Sequence, residues 1–293
     1  MRIRTSAAAA GLLAISFIAL FWPVLRKLVA DWSTDDNYSH GFFIVPLAAF
    51  FVWERRDALM ALPVRPSWWG LPVVLGSIGV LMAGLLGAEL FLSRIAIVGV
   101  LTGLVLFVLG WQHLWKLVFP LAFLLLMIPL PAIIFNQIAF PLQLLASQAG
   151  EASLNALRIP VLREGNVMIL ANTTLEVAEA CSGIRSLISL LTLGIVYGYF
   201  TDKRWTVRLL LVAATIPIAI ATNGFRVAGT GAAAHYYGPE VAEGFFHAFS
   251  GWLVFLAAFV MLVGTGKAIQ LLSPGPARES SLDVLQPLPR VNG

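Results

Sequence analysis

Apolar residues along this chain do not alternate with polar ones. They come in long runs separated by short polar punctuation, and a run of roughly 20 such residues predicts a helix able to cross a bilayer. The first run covers about 7–29 and gives way to the polar stretch DWSTDDNYSHG at 31–41. A shorter run at about 41–54 stops at Glu54-Arg55-Arg56, and others follow at about 68–88, 91–110 and 114–131. The fifth ends in the breaker Pro129-Leu130-Pro131, which removes backbone donors and ends a helix. Three more runs lie at about 182–200, 206–228 and 245–270.

One long interruption separates the fifth run from the sixth, at about 132–180. Its first half, AIIFNQIAFPLQLLASQAGEASLNAL, mixes apolar and polar residues at helical spacing and predicts an interfacial helix. Its second half, VLREGNVMILANTTLEVAEA, is rich in β-branched residues around a turn-like Ala171-Asn172 and predicts a small hairpin. The fold class read from this pattern is an all-α polytopic membrane protein of about eight transmembrane helices, with an outer-face insert before the sixth. The start, MRIRTSAAAAGLLAISFIALFWPVL, has the basic head and apolar run of a signal peptide. The run is long and no clear cleavage site ends it, so an uncleaved first span is expected. The polar, Pro-rich stretch from Ser273 predicts a disordered tail at 273–293 after a transmembrane domain at 1–272.

Composition agrees: 59% of the 293 residues are hydrophobic and only 12% charged, which excludes a soluble domain. A net charge of +4 could suggest nucleic acid, but the charges sit in short loops, where topology explains them better. With the N-terminus inside, 12 of the 19 Lys and Arg residues fall on the inner side and seven on the outer. Both termini are then cytoplasmic, and the insert, Cys181, Arg226 and His247 face outward.

A single cysteine, Cys181, excludes an internal disulfide, a Cys-based zinc cluster and a CxxC redox pair. A lone cysteine in a membrane protein is most often a small buried hydrophobe, but the neighbours of this one are unusual. Arg185 follows four residues later at the start of a predicted helix, so a guanidinium and a helix N-terminus would both favour the thiolate. Polar residues cluster near the predicted outer ends of three spans: Glu176, Glu179, Cys181, Ser182 and Arg185; Asn223 and Arg226; and His247 with Ser250. Ionisable groups in a span are costly and persist where they face protein or water. Thiolate, imidazole and guanidinium together suit nucleophilic attack on a carbonyl. The plainer readings are snorkelling arginines at a membrane edge and a hydrogen-bonded interfacial histidine. His235, in a predicted loop, competes for the base role; His40 could line the site; His113 falls on the inner side. A zinc site from His40, His235 and His247 stays open, although no HExxH-like pairing supports it.

These residues resemble the exosortase/archaeosortase family of multispan membrane transpeptidases. The likeness rests on Glu179-Ala180-Cys181-Ser182-Gly183-Ile184-Arg185-Ser186-Leu187, on Asn223-Gly224-Phe225-Arg226-Val227 and on His247-Ala248-Phe249-Ser250-Gly251-Trp252. Tyr38-Ser39-His40-Gly41 and Glu164-Gly165-Asn166 support it. The resemblance implies Cys181 as nucleophile, His247 as acid/base and Arg226 as the third essential group. Arg185, Glu179, Asn223, His40 and Ser250 would then bind substrate or support the site, with neither metal nor organic cofactor. It implies substrates that are exported proteins with a C-terminal signal of the PEP-CTERM type: a short motif, an apolar helix and an arginine cluster. Membrane lipid and an unknown acceptor amine would be the other partners, and the inner (plasma) membrane the location. A transporter or assembly factor for envelope or exopolysaccharide components, its polar residues lining a path, is the alternative from another class. A protease that only hydrolyses is the nearer one.

Overall fold

A computed structural model describes residues 2–177, 183–238, 240 and 245–272, with backbone alone for 2–7, 183–184 and 245–250. The expected tail, 273–293, lies outside the described residues. The chain is mostly helical, and its contacts divide it into two compact units, 1–142 and 143–293.

The first unit contains α1 (Arg2–Thr34), α2 (Gly41–Glu54), the short α3 (Arg56–Met60), α4 (Gly70–Leu86), α5 (Leu90–Val108) and α6 (Trp111–Phe123). A 3-10 turn (Leu124–Met127) continues α6, and α7 (Ala132–Ala156) begins after an 82° bend. The bend falls at Pro129-Leu130-Pro131, where the sequence predicted a break. Among the described residues, four helices are long and apolar enough to cross a membrane: Ala8–Thr34, Leu90–Val108, Trp205–Tyr237 and Gly251–Leu272. The bent pair makes at most a fifth. The 14 residues of α2 rise only ~21 Å, short of a ~30 Å hydrocarbon core. Its apolar run therefore matches the expected boundaries without the length of a full span.

Close backbone approach shapes this unit. A Cβ on Gly103 would lie 2.7 Å from Val74 Cγ2, and one on Gly99 2.3 Å from Ser77 Oγ, so α4 and α5 meet along a glycine seam. Gly110 has φ +91°, and a Cβ there would sit 1.9 Å from the Arg65 carbonyl oxygen. The polar loop expected at 31–41 begins later, because α1 runs on to Thr34. Lys27 pairs with Asp31 at 2.8 Å, and the buried Arg94 of α5 bonds the same carboxylate, which holds that last turn helical. Beyond it, Trp32 Nε1 donates to the Met127 carbonyl at 2.9 Å, and His40 Nε2 meets the Leu126 carbonyl at 3.1 Å.

The second unit carries the rest of α7, a three-stranded antiparallel sheet and α8 (Gly183–Thr201), α9 (Trp205–Tyr237) and α10 (Phe245–Leu272). The sheet is larger than the expected hairpin: β1 (Val161–Glu164), β2 (Val167–Leu170) and β3 (Thr174–Glu176) lie in that order. Gly165-Asn166 makes one turn and the anticipated Ala171-Asn172 makes the other. A second correction concerns α9, which continues to Tyr237, so His235 lies on its last turn and not in a loop. The segment GTGAAAH has no breaker before Gly238, whose φ of +94° ends the helix.

Two predictions follow from these contacts. Gly110→Ala should destabilise the protein by about 1–3 kcal/mol, while Gly76→Ala, with nothing near its Cβ position, should cost nothing. Thermal unfolding in detergent checks both, and equal melting points would refute the Gly110 assignment. Burial holds the His40 imidazole below its usual pKa of 6.5, with the Leu126 and Asn37 carbonyls opposing. The neutral ring therefore contributes stability that is present above pH ~6.5 and lost as pH falls towards the depressed folded value. His40→Gln, which keeps a donor for Leu126, should remove that part of the acid sensitivity of Tm.

Candidate active site

The three candidate segments belong to the second unit, and α9 connects its two cores. The N-terminal half of α9 packs with α8 and α10 through Leu190, Val207, Leu211, Ile218, Ala219, Ala258 and Leu262. Its C-terminal half lies against α7 and the sheet, where Ala146, Leu154, Met168, Leu170, Val177 and Val227 are buried together. Small residues bring α7 and α9 close: a Cβ on Gly224 would stand 2.7 Å from Ala149 Cβ, and one on Gly150 2.6 Å from Val227 Cγ1.

Asn223 and Arg226 sit where these two cores meet. Asn223 is 4% exposed and Arg226 is half-buried, three residues on and on the same side of the helix. The Arg226 guanidinium packs onto the backbone of α10 at Gly251, whose Cβ position is 3.3 Å from Nη2 and 3.5 Å from Cζ. A Cβ at Gly251 would make a tight contact with the guanidinium. Sequence reading quoted Gly251 only as part of a motif, because its partner lies 25 residues earlier on another helix. Arg185 is half-buried on the first turn of α8. For His247 and Ser250 the structure gives the backbone of α10, with position 247 one turn before Gly251. Cys181 and Glu179 lie outside the described residues. The chain is described up to Val177, fully buried beside Val227, and again from Gly183.

His235 and His40 are the two further expected contributors. His235 is nine residues beyond Arg226 on one helix, and at ~100° per residue it points to the opposite side, about 13 Å along the axis. Its ring lies 5.0 Å from that of Tyr236. His40 belongs to the first unit and is engaged with the Leu126 carbonyl. His113, buried in α6, belongs there too. Among the described residues no three His, Cys, Asp or Glu side chains gather as metal ligands.

Specific bonds fasten the sheet beside this region. Arg163 Nε donates to Glu151 Oε2 at 2.6 Å, Ser147 Oγ to the Gly165 carbonyl at 3.0 Å, and Asn172 Nδ2 to the Ala234 carbonyl at 2.7 Å. The last ties the β2–β3 turn to the end of α9, a role the sequence signalled only as a turn. Among the described residues, β1 and β3 are the outer strands and pair with β2 alone.

Comparison with known proteins adds one match. The family model described as transmembrane exosortase matches residues 32–264, a span that includes the segments bearing Cys181, Arg226 and His247. No curated protein and no solved structure matches the chain. With four helices long and apolar enough to span a bilayer among the described residues and a match over far more than half its length, the chain belongs to the transmembrane exosortase family.

Proposed function

We propose that this protein is a membrane-embedded cysteine transpeptidase that cleaves the C-terminal sorting signal of exported proteins at the outer face of the inner membrane. The observation that carries the reading is the seat of Arg226 on Gly251, one helical turn beyond position 247. This brings the helix bearing the candidate base against the candidate oxyanion donor. The segment with Cys181 adds to it: Val177 is buried in one cluster with Val227, the neighbour of Arg226. Four residues of extended chain reach ~14 Å at most, which is the furthest the Cys181 backbone can lie from Val177.

The chemistry is that of a thiol acyl carrier. The Cys181 thiolate attacks the scissile carbonyl, forming a carbon–sulfur bond and an oxyanion that Arg226 stabilises, with Arg185 able to assist. His247, as imidazolium, passes its proton to the leaving amine as the carbon–nitrogen bond breaks. This frees the apolar tail and leaves a thioester. An acceptor amine then attacks, gives its proton to His247 and expels the thiolate; water in its place yields a free acid. The substrate's helix would lie in the bilayer against the spans, with its arginine cluster on the cytoplasmic side and its motif outside. The membrane lipid, an exported protein and the acceptor amine are the partners of this scheme, and both termini are cytoplasmic in it.

The test is co-expression with a reporter ending in a Pro-Glu-Pro motif, an apolar helix and an arginine cluster. Cys181→Ala should abolish processing while the protein still inserts; unimpaired processing would remove the nucleophile. Arg226→Lys should lower the rate by about 100-fold or more, because a point charge does not replace a planar fork. Near-normal rates would leave Arg226 a packing role. Mass spectrometry of the processed reporter should find a new C-terminus before the apolar helix, amide-linked to an acceptor for transfer and free for hydrolysis. A cut beyond the helix would contradict the scheme.

A further inference from the structure

The sheet ends at an edge that leads into the segment of the candidate nucleophile. β3 is the last strand in the order β1-β2-β3, and Glu176 lies five residues before Cys181. Its register against β2 pairs Thr174 with Ile169, Leu175 with Met168 and Glu176 with Val167. Two bonds fix which backbone groups face β2: the Leu170 amide donates to the Thr173 carbonyl at 2.8 Å, and the Val177 amide to the Asn166 carbonyl at 2.9 Å. Hydrogen-bonded pairs alternate along an antiparallel ladder. Thr173, Leu175 and Val177 therefore turn their amides and carbonyls towards β2, and Thr174 and Glu176 turn theirs away. The side chains follow the complementary pattern, with Leu175 packed on the apolar cluster under the sheet and Thr174 and Glu176 exposed.

We infer that the outward edge of β3 is the docking strand for the substrate polypeptide, which adds to the sheet in extended form and continues towards Cys181. This deepens the reading of the protein as a signal-cleaving thiol enzyme and rests on it. The occupant follows from position and chemistry. Two amides and two carbonyls at a two-residue repeat match the main chain of an extended peptide. In sequence, the thiol that must reach that peptide's carbonyl follows five residues after the strand's last residue, Glu176. Main-chain pairing would also hold the scissile region straight while its apolar helix stays in the membrane. The opposite edge, β1, lacks this continuity and is held to α7 through Arg163 and Glu151. Side chains of the substrate at alternate positions would lie against exposed Thr174 and Glu176, which gives this strand a place in specificity.

Proline tests the edge because it removes an amide proton yet is tolerated on the free side of an edge strand. Thr174→Pro and Glu176→Pro should each slow processing of the same reporter by ~5- to 10-fold, the usual worth of one hydrogen bond. The rate at which an impermeant maleimide labels Cys181 should stay unchanged. Wild-type processing rates in both variants would overturn the inference. Should either variant accumulate poorly, a second measurement decides: Glu176→Cys in a Cys181→Ala background, with single cysteines scanned through the reporter's motif. Disulfides at alternate reporter positions support strand addition; no disulfide, or disulfides without period two, overturns it. Failure here with Cys181→Ala inactive rejects only the docking strand, whereas processing by Cys181→Ala rejects the underlying enzyme reading.

Discussion

A guanidinium does not lose its charge on burial, so the helix that carries Arg226 must offer it something better than lipid. The solution in α9 is local and depends on another helix. Asn223 buries an amide on the same side, and the backbone of α10 at Gly251 approaches closely enough for the guanidinium to lie on it. A Cβ at position 251 would press on the guanidinium and shift it by a few tenths of an ångström. The packing of the two helices through Ile218, Ala219, Ala258 and Leu262 is what fixes the distance.

The other half of α9 answers a different demand, which is to hold a sheet at the end of a helical bundle. An ion pair such as Arg163 with Glu151, whose side chains are 24% and 32% exposed, contributes at most about 1 kcal/mol. Burying one side chain such as Val177 or Met168, each 0% exposed, contributes ~1.5–3 kcal/mol in contact with water. The apolar cluster therefore supplies most of the adhesion. The bonds of Ser147, Asn172 and Arg163 set where the strands rest on it. Because Val177 belongs to this cluster and Val227 does too, the sheet and the Arg226 turn are fixed by one set of contacts.

Elements set by local punctuation were legible in the sequence. The range 41–54 expected for the second run is the range of α2, and Pro129-Leu130-Pro131 marks the bend as read. Features that depend on distant partners were not legible. β3 has three residues, too few to show a period, and is defined by its pairing with β2. The apolar run of α9 fades after Arg226, yet the helix continues because Gly231 packs on Leu154 and no breaker intervenes. The contact of Arg226 with Gly251 was not legible, since nothing in the neighbourhood of Gly251 names Arg226.

His40 has a clear structural role within the first unit. In the first unit its imidazole meets the Leu126 carbonyl, and Trp32 donates to Met127 in the same 3-10 turn. A helix interrupted by prolines leaves its last carbonyls without amide partners. These two side chains supply them from outside. Gly41 completes the arrangement, because a Cβ there would lie 2.3 Å from Trp32 Nε1. The adjacency of histidine and glycine in Tyr38-Ser39-His40-Gly41 is thus accounted for by the need to cap a broken helix.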